Sequence, residues 1–233
     1  MPDDLAENRP DESGRPDGTD ELDERLAFAA AVRDLNHAFV GHDIEPGRLR
    51  DLVSHIELVT HELDRGTRRD RLALMQAARA AAMETGEVTF IGNVAKSGFE
   101  DRAVAGRANP TAIEFAISDE GDDVVARFRL RRAFEGAPGR AHGGLVAAAF
   151  DDVTGTVIGR IREPAFTGEL WVRFEAPVPV DTDLEIRTRL VDRERRKLFI
   201  TAEMAADSII VARCRATYIT VDPTMFAVAP DPR

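Results

Sequence analysis

One cysteine, one tryptophan and one tyrosine stand among 233 residues, and aromatic side chains make up only 6% of the chain. A lone thiol, Cys214, cannot form an internal disulfide and fits a reducing compartment, so the cytoplasm is the expected location. With few aromatics, the core must be packed by Ala, Val, Leu and Ile, for which a hydrophobic content of 43% is ample. No uninterrupted apolar stretch reaches the ~18 residues that suggest a membrane-spanning helix. The N-terminus lacks the basic and apolar regions of a signal peptide. A basic face is missing too: the formal net charge is −11, which disfavours nucleic acid as a partner.

That charge is unevenly spread. Residues 1–24 hold ten acidic and two basic side chains, leaving about −3 for the rest of the chain. Residues 1–20, rich in Asp, Glu, Pro and Gly, cannot bury enough surface to offset their ordering entropy and read as a disordered acidic tail. From 21 to 86 apolar residues recur at the helical period, first at Leu22, Leu26, Ala29, Ala30, Val32 and Leu35, then at Leu49, Leu52, Val53, Ile56, Val59 and Leu63. Gly41 and Pro46 punctuate these runs, and Leu72–Met83 forms a third helix-prone run, so 21–86 is expected to be a helical extension. Residues 87–110, with Gly92, Gly98, Gly106 and Pro110, read as a connecting loop.

The remainder, 111–223, reads as an α+β domain followed by a short C-terminal tail at 224–233. Strands are expected at Ile113–Ile117 and Val124–Leu130, joined by a turn at Gly121-Asp122, and again at Leu170–Ala176, Leu184–Asp192, Lys197–Ala205 and Ile209–Val221. Leu170, Val172 and Phe174 alternate with Glu169, Arg173 and Glu175. Ile210, Ala212, Cys214, Ala216 and Tyr218 alternate with Arg213, Arg215 and Thr217. A sheet apolar on one face needs a cover, and the helical segment at about 142–160, with Val146, Phe150, Val153 and Val157, supplies it.

The start of that helix carries the chemistry. In His142-Gly-Gly-Leu-Val-Ala-Ala-Ala-Phe-Asp151, two glycines let a ligand approach a helix N-terminus, whose backbone N–H groups are unpaired and carry partial positive charge. A carbonyl oxygen on the Gly143 N–H would be polarised and its oxyanion stabilised. Asp151 can act as a general base or a nucleophile. Eight residues at 1.5 Å rise put Gly143 and Asp151 ~12 Å apart, so one helix cannot bring both to one carbonyl. Two antiparallel helices from two subunits can, and the spacing therefore implies a homodimer with shared sites.

His142-Gly-Gly with Asp151 nine positions on, then Thr167, then Leu170-Trp-Val-Arg-Phe with Pro177-Val-Pro179, resembles the hotdog-fold acyl-CoA thioesterases. The nearest types are the phenylacetate-pathway (PaaI) type and, within it, the carboxyl-terminal modulator protein-like branch. Phe134-Glu-Gly-Ala-Pro-Gly139 and Arg196-Lys197 fit that branch, and the resemblance spans about 111–223. It implies an antiparallel sheet wrapped around a central helix, a dimer often doubled to a tetramer, and hydrolysis of acyl-CoA without a metal or redox cofactor. It also implies that Asp151 is base or nucleophile, that Gly143 is the oxyanion donor, and that Thr167 positions water or the carboxylate. The PaaI type usually carries an asparagine six residues before the histidine; here that position is Gly136.

Plain alternatives exist for each residue. His142 can be a helix cap rather than an acid-base group, Gly143 and Gly144 can serve packing, and Asp151 can be a surface charge. Asp152 reads as a solvated neighbour and Cys214 as a buried small hydrophobe. The spacings of His37, His42, His55 and His61 do not put two ligands on one helical face, so no metal site is expected. Arg193, Arg195, Arg196 and Lys197 form a basic turn; Arg196 and Lys197 are candidates for coenzyme A phosphates. Gly106-Arg-Ala-Asn-Pro110 resembles a hydratase motif without its catalytic aspartate and histidine, which argues against dehydration. The competing functional reading is a non-catalytic acyl-CoA-binding or protein-interaction module on the same scaffold.

Overall fold

The computed structural model describes residues 18–70, 73–74 and 100–222. The expectations for residues 1–17, most of Leu72–Met83, residues 87–99 and the C-terminal tail fall outside them. Helix α1 runs from Gly18 to Gly41, three residues into the stretch read as tail, and α2 from Pro46 to Asp64. Pro46 opens α2 where a missing N–H does no harm, and the Glu45 carboxylate caps it by accepting the Gly47 and Arg48 N–H groups at 2.8 and 2.9 Å.

Six strands follow: β1 (Ala116–Glu120), β2 (Asp123–Arg129), β3 (Ala165–Phe174), β4 (Asp183–Glu194), β5 (Lys197–Ala206) and β6 (Ile209–Thr220). They form one sheet in the order β1-β2-β4-β5-β6-β3, antiparallel at every pairing. Helix α3 (Gly143–Ile161) lies in the sheet's embrace and buries Val146, Ala149, Phe150, Val153, Thr154, Val157 and Ile158. Against it stand Leu184 and Ile186 of β4, Leu198, Ile200 and Met204 of β5, and Ala212, Cys214 and Ala216 of β6. Arg162 ends the helix in the left-handed conformation at φ 56°. This is the sheet-around-helix hotdog arrangement that the resemblance implied, with the helix covering the apolar sheet face as the alternation required.

Three strand expectations shift in detail, and the largest shift is in β3, which runs Ala165–Phe174 rather than Leu170–Ala176 and so takes in Thr167. The first strand begins at Ala116 rather than Ile113, because Ile113 is instead buried in the turn before it and donates its N–H to Val104 O at 2.7 Å. In β6 the pairing slips between Met204 and Ala205, which leaves Val211 as an extra residue. Both Val211 and Ala212 are then buried, and Ile210 leaves the core face assigned to it by simple alternation. The Val211 carbonyl, freed from the ladder, accepts the N–H groups of Glu175 and Ala176.

Helix α1 docks on the domain through Ala29, Arg33 and His37, spaced to share one face. Buried Arg33 donates to Glu114 Oε1 at 2.8 Å and to the carbonyls of Arg107 and Asn109 at 2.9 and 3.1 Å. Asp34 pairs with Arg131. His37 packs edge-on to Phe134 in the short 3-10 helix Arg132–Phe134, and its Nδ1 accepts the Ala133 N–H at 3.1 Å.

An Nδ1 that accepts an N–H cannot also carry a proton. Burial holds the pKa of His37 below its ordinary value, with Arg131 pushing the same way against Asp34 and Asp181. A depressed histidine pKa favours the unfolded state as the proton-binding partner. The stabilisation is therefore present above the unfolded value and is lost as pH falls through it. Thermal midpoints measured from about pH 7 to about pH 5 should fall more steeply for wild type than for His37→Asn, whose amide oxygen can still accept the Ala133 N–H. Parallel pH slopes would contradict this.

Candidate active site

The approach to α3 is held by backbone. The His142 N–H donates to Phe134 O at 2.8 Å, Gly136 N–H to Arg140 O at 2.8 Å, and Ala141 N–H to Val178 O at 2.9 Å. The Pro177-Val-Pro179 segment thus offers the Val178 carbonyl as an anchor. Gly136 sits so close to this turn that a Cβ there would lie 3.0 Å from His142 Cα. A side chain at this position, such as the asparagine of the PaaI pattern, would require the turn to give by a few tenths of an ångström.

His142 is the N-cap of α3. Its Nδ1 accepts the Gly144 N–H at 3.1 Å, which is the capping arrangement weighed above and fixes the ring. The Gly144 N–H is thereby committed, so what this glycine can offer a ligand is the lack of a side chain. Gly143 is the first helical residue, and its N–H is one of the donors that a helix leaves without an internal partner. Phe174 stands beside it: a Cβ on Gly143 would come within 3.3 Å of the ring.

Two turns further on, Asp151 is exposed while Asp152 is half-buried. The pairing on β3 slips between Thr167 and Glu169, so Gly168 is a bulge residue, and a Cβ there would lie 2.9 Å from Ile219 Cγ1. Bulges re-aim neighbouring side chains, and here the Thr167 hydroxyl donates to Asp151 Oδ1 at 2.8 Å. The structure brings together the two residues that the sequence placed sixteen apart.

Two residues of this cluster were not singled out from the sequence. Tyr218 pairs with Thr167 across β3 and β6, is buried, and donates to the Asp151 main-chain oxygen at 3.0 Å. The Thr154 hydroxyl donates to Phe150 O at 2.8 Å, and its oxygen lies 2.9 Å from the Tyr218 hydroxyl. Burial pushes the Tyr218 phenol up to about 12, so it remains protonated and a donor at neutral pH. The signal available was the chain's single tyrosine on the core face of the strand beside Thr167.

Asp152 departs from its expected role. It turns towards Arg102, 3.6 Å away, and burial raises its pKa against the pull of that arginine. It ties α3 to the segment preceding the sheet and is not a solvated bystander. Cys214 is buried, and its thiol is pushed up to about 12, in keeping with a packing role. In the basic turn, Arg193 is held by Glu163, while Arg196 Nε donates to Thr220 O at 2.9 Å. Arg196 and Lys197 are exposed at the end of the β4–β5 hairpin. Among the described residues, no helix is long and apolar enough to cross a membrane.

A helix N-terminus opened by a capped histidine and a carboxylate oriented by an edge-strand threonine, within a sheet wrapped around that helix, define a class. Residues 138–212 match the family model of the thioesterase superfamily. Acyl-coenzyme A thioesterase THEM4 of Mus musculus is 32% identical over 103 residues, 43% of this chain and 44% of that protein. The Bos taurus protein of the same name is 27% identical over 114 residues, 47% of each chain. The chain thus spans less than half the length of the curated relatives it matches. A crystal structure of a thioesterase superfamily protein superimposes with a TM-score of 0.66 at 18% identity, covering 84% of this chain and 94% of that one, a likeness of fold.

Gly136→Ala should lower stability by about 1–3 kcal/mol through the clash with the His142 backbone. Thermal unfolding followed by circular dichroism would measure it, and an unchanged midpoint would show that the turn yields freely.

Proposed function

We propose that the protein is an acyl-CoA thioesterase whose site is shared between two subunits of a homodimer, with the hotdog unit at 111–223. The observation that carries this reading is the 2.8 Å bond from Thr167 to Asp151 Oδ1. It holds the carboxylate in one orientation on an otherwise exposed helix face and leaves Oδ2 for the reacting partner. The match to the thioesterase superfamily and the names of the curated relatives support the bond to be cut.

The substrate carbonyl oxygen rests on the Gly143 N–H of one subunit, reinforced by the helix dipole. Asp151 of the other subunit takes a proton from water as the water oxygen bonds to the carbonyl carbon. The tetrahedral oxyanion collapses, the carbon–sulfur bond breaks, and coenzyme A leaves as thiolate, to be protonated by solvent. Direct attack by Asp151, giving an anhydride that water then opens, is the variant on the same geometry. Thr167 orients the carboxylate, and His142 serves as the cap that fixes the oxyanion corner. Arg196 and Lys197 meet phosphates of coenzyme A. The reaction as drawn needs no metal or redox cofactor. The buried lone cysteine suits a reducing compartment, and the cytoplasm is the proposed location. Doubling of the dimer to a tetramer fits the PaaI type.

Release of free thiol from acyl-CoA substrates of graded chain length tests the reading. Asp151→Asn should lower kcat at least a hundredfold, roughly the contribution of a positioned general base. Thr167→Ala should lower it roughly tenfold, the equivalent of one hydrogen bond. Tight acyl-CoA binding without thiol release by wild type would instead support the non-catalytic module. Unchanged turnover in Asp151→Asn would remove that residue from the site.

A further inference from the structure

Helix α2 buries none of its residues, yet five of its seven Leu, Ile and Val side chains form a regular row, Val53 and Leu58 lying off it. Leu49, Leu52, Ile56, Val59 and Leu63 alternate spacings of three and four, the seam of a helix that packs against another helix. Leu52, Ile56, Val59 and Leu63 are 40–58% exposed. We propose that this seam is an interface between two copies of the chain, in which α2 pairs antiparallel with the partner's α2.

Charge decides both the occupant and the direction. The N-terminal half of α2 carries Arg48 and Arg50 against the single acid Asp51, and the C-terminal half carries the acids Glu57, Glu62 and Asp64 without an arginine or lysine. With Leu49, Ile56 and Leu63 at the a positions and Leu52 and Val59 at the d positions, Arg48, His55 and Glu62 become the flanking g positions. An antiparallel pair in which Leu49 layers on Val59 of the partner subunit, and Leu52 on Ile56 of the partner subunit, places Arg48 beside Glu62 of the partner subunit at both ends. His55 then meets its own copy near the two-fold axis. A parallel pair sets Arg48 beside Val53 and gives it no acidic partner across the seam. The helix's own Arg48–Asp51 contact is long, 3.9 Å, and exposed, so little holds Arg48 back. An anionic lipid surface is disfavoured by a helix more acidic than basic.

Such a pairing is isologous and closes on itself. It lies outside the part of the chain matched to the thioesterase superfamily. It would join the helical extensions independently of any contact between the sheet domains, giving the extension a role in assembly.

The test uses the full chain with single cysteines. Cys214 is buried with its thiol pushed up to about 12, so an introduced surface cysteine dominates labelling. His55→Cys treated with a short bismaleimide should give a covalent dimer in several-fold higher yield than Leu58→Cys on the outer face. In the His55→Cys background, Arg48→Glu or Glu62→Arg alone should reduce that yield several-fold, and the two together should restore it. Equal yields at 55 and 58, or charge reversals that add rather than rescue one another, would overturn the proposal. In that event the seam is covered by another part of the chain or by a different protein.

Discussion

The Thr167–Asp151 hydrogen bond joins the edge strand β3 to the buried helix α3, and the proposed chemistry depends on both elements being immobile. The helix is fixed because Val146, Phe150, Val153 and Val157 are almost wholly buried within a sheet of which five strands touch the helix. A close-packed interior of this kind resists sliding. The strand is fixed by its full-length pairing with β6. Between them, the Gly168 bulge sets the angle at which the threonine meets the carboxylate. The same rigidity imposes the main constraint: a straight helix keeps Gly143 and Asp151 ~12 Å apart. One chain cannot close that distance, and the proposed mechanism follows from this limit.

Support for the site is layered. Tyr218 and Thr154 do not reach solvent but hold the helix turn that carries Asp151, through the Asp151 carbonyl and the Phe150 carbonyl. The Val178 carbonyl and Phe134 carbonyl hold the other end at Ala141 and His142. Through His37 and the 3-10 helix, α1 leans on that same turn, so the N-terminal extension is coupled to the helix start from outside the superfamily match.

Much of this was legible in the sequence. The central helix was expected at about 142–160 and runs from Gly143 to Ile161, and five of the six strands fall within a few residues of their expected bounds. Alternation and helical period report burial directly, which is why these features are readable. The bulges at Gly168 and Val211 were not, because a bulge is decided by the partner strand's register. Asp152 differs from its expected role for a related reason: its partner Arg102 lies in a segment whose docking no local pattern announces. Tyr218 looked like any core-facing strand residue until the pairing set it beside Thr167. His142 as a cap and Cys214 as a packed hydrophobe were readable from their neighbours alone.

The shared site is tested most directly by mixing two disabled chains. Asp151→Asn removes the carboxylate. Gly143→Pro removes the N–H at the first helical position, where proline is tolerated. Each homodimer should be inactive. Co-refolded in equal amounts, half of the dimers are mixed and each regains one intact site, so the account predicts about one quarter of wild-type thiol release. If the mixture is as inactive as either parent, while size and fold are unchanged, Gly143 and Asp151 do not act across the subunit boundary.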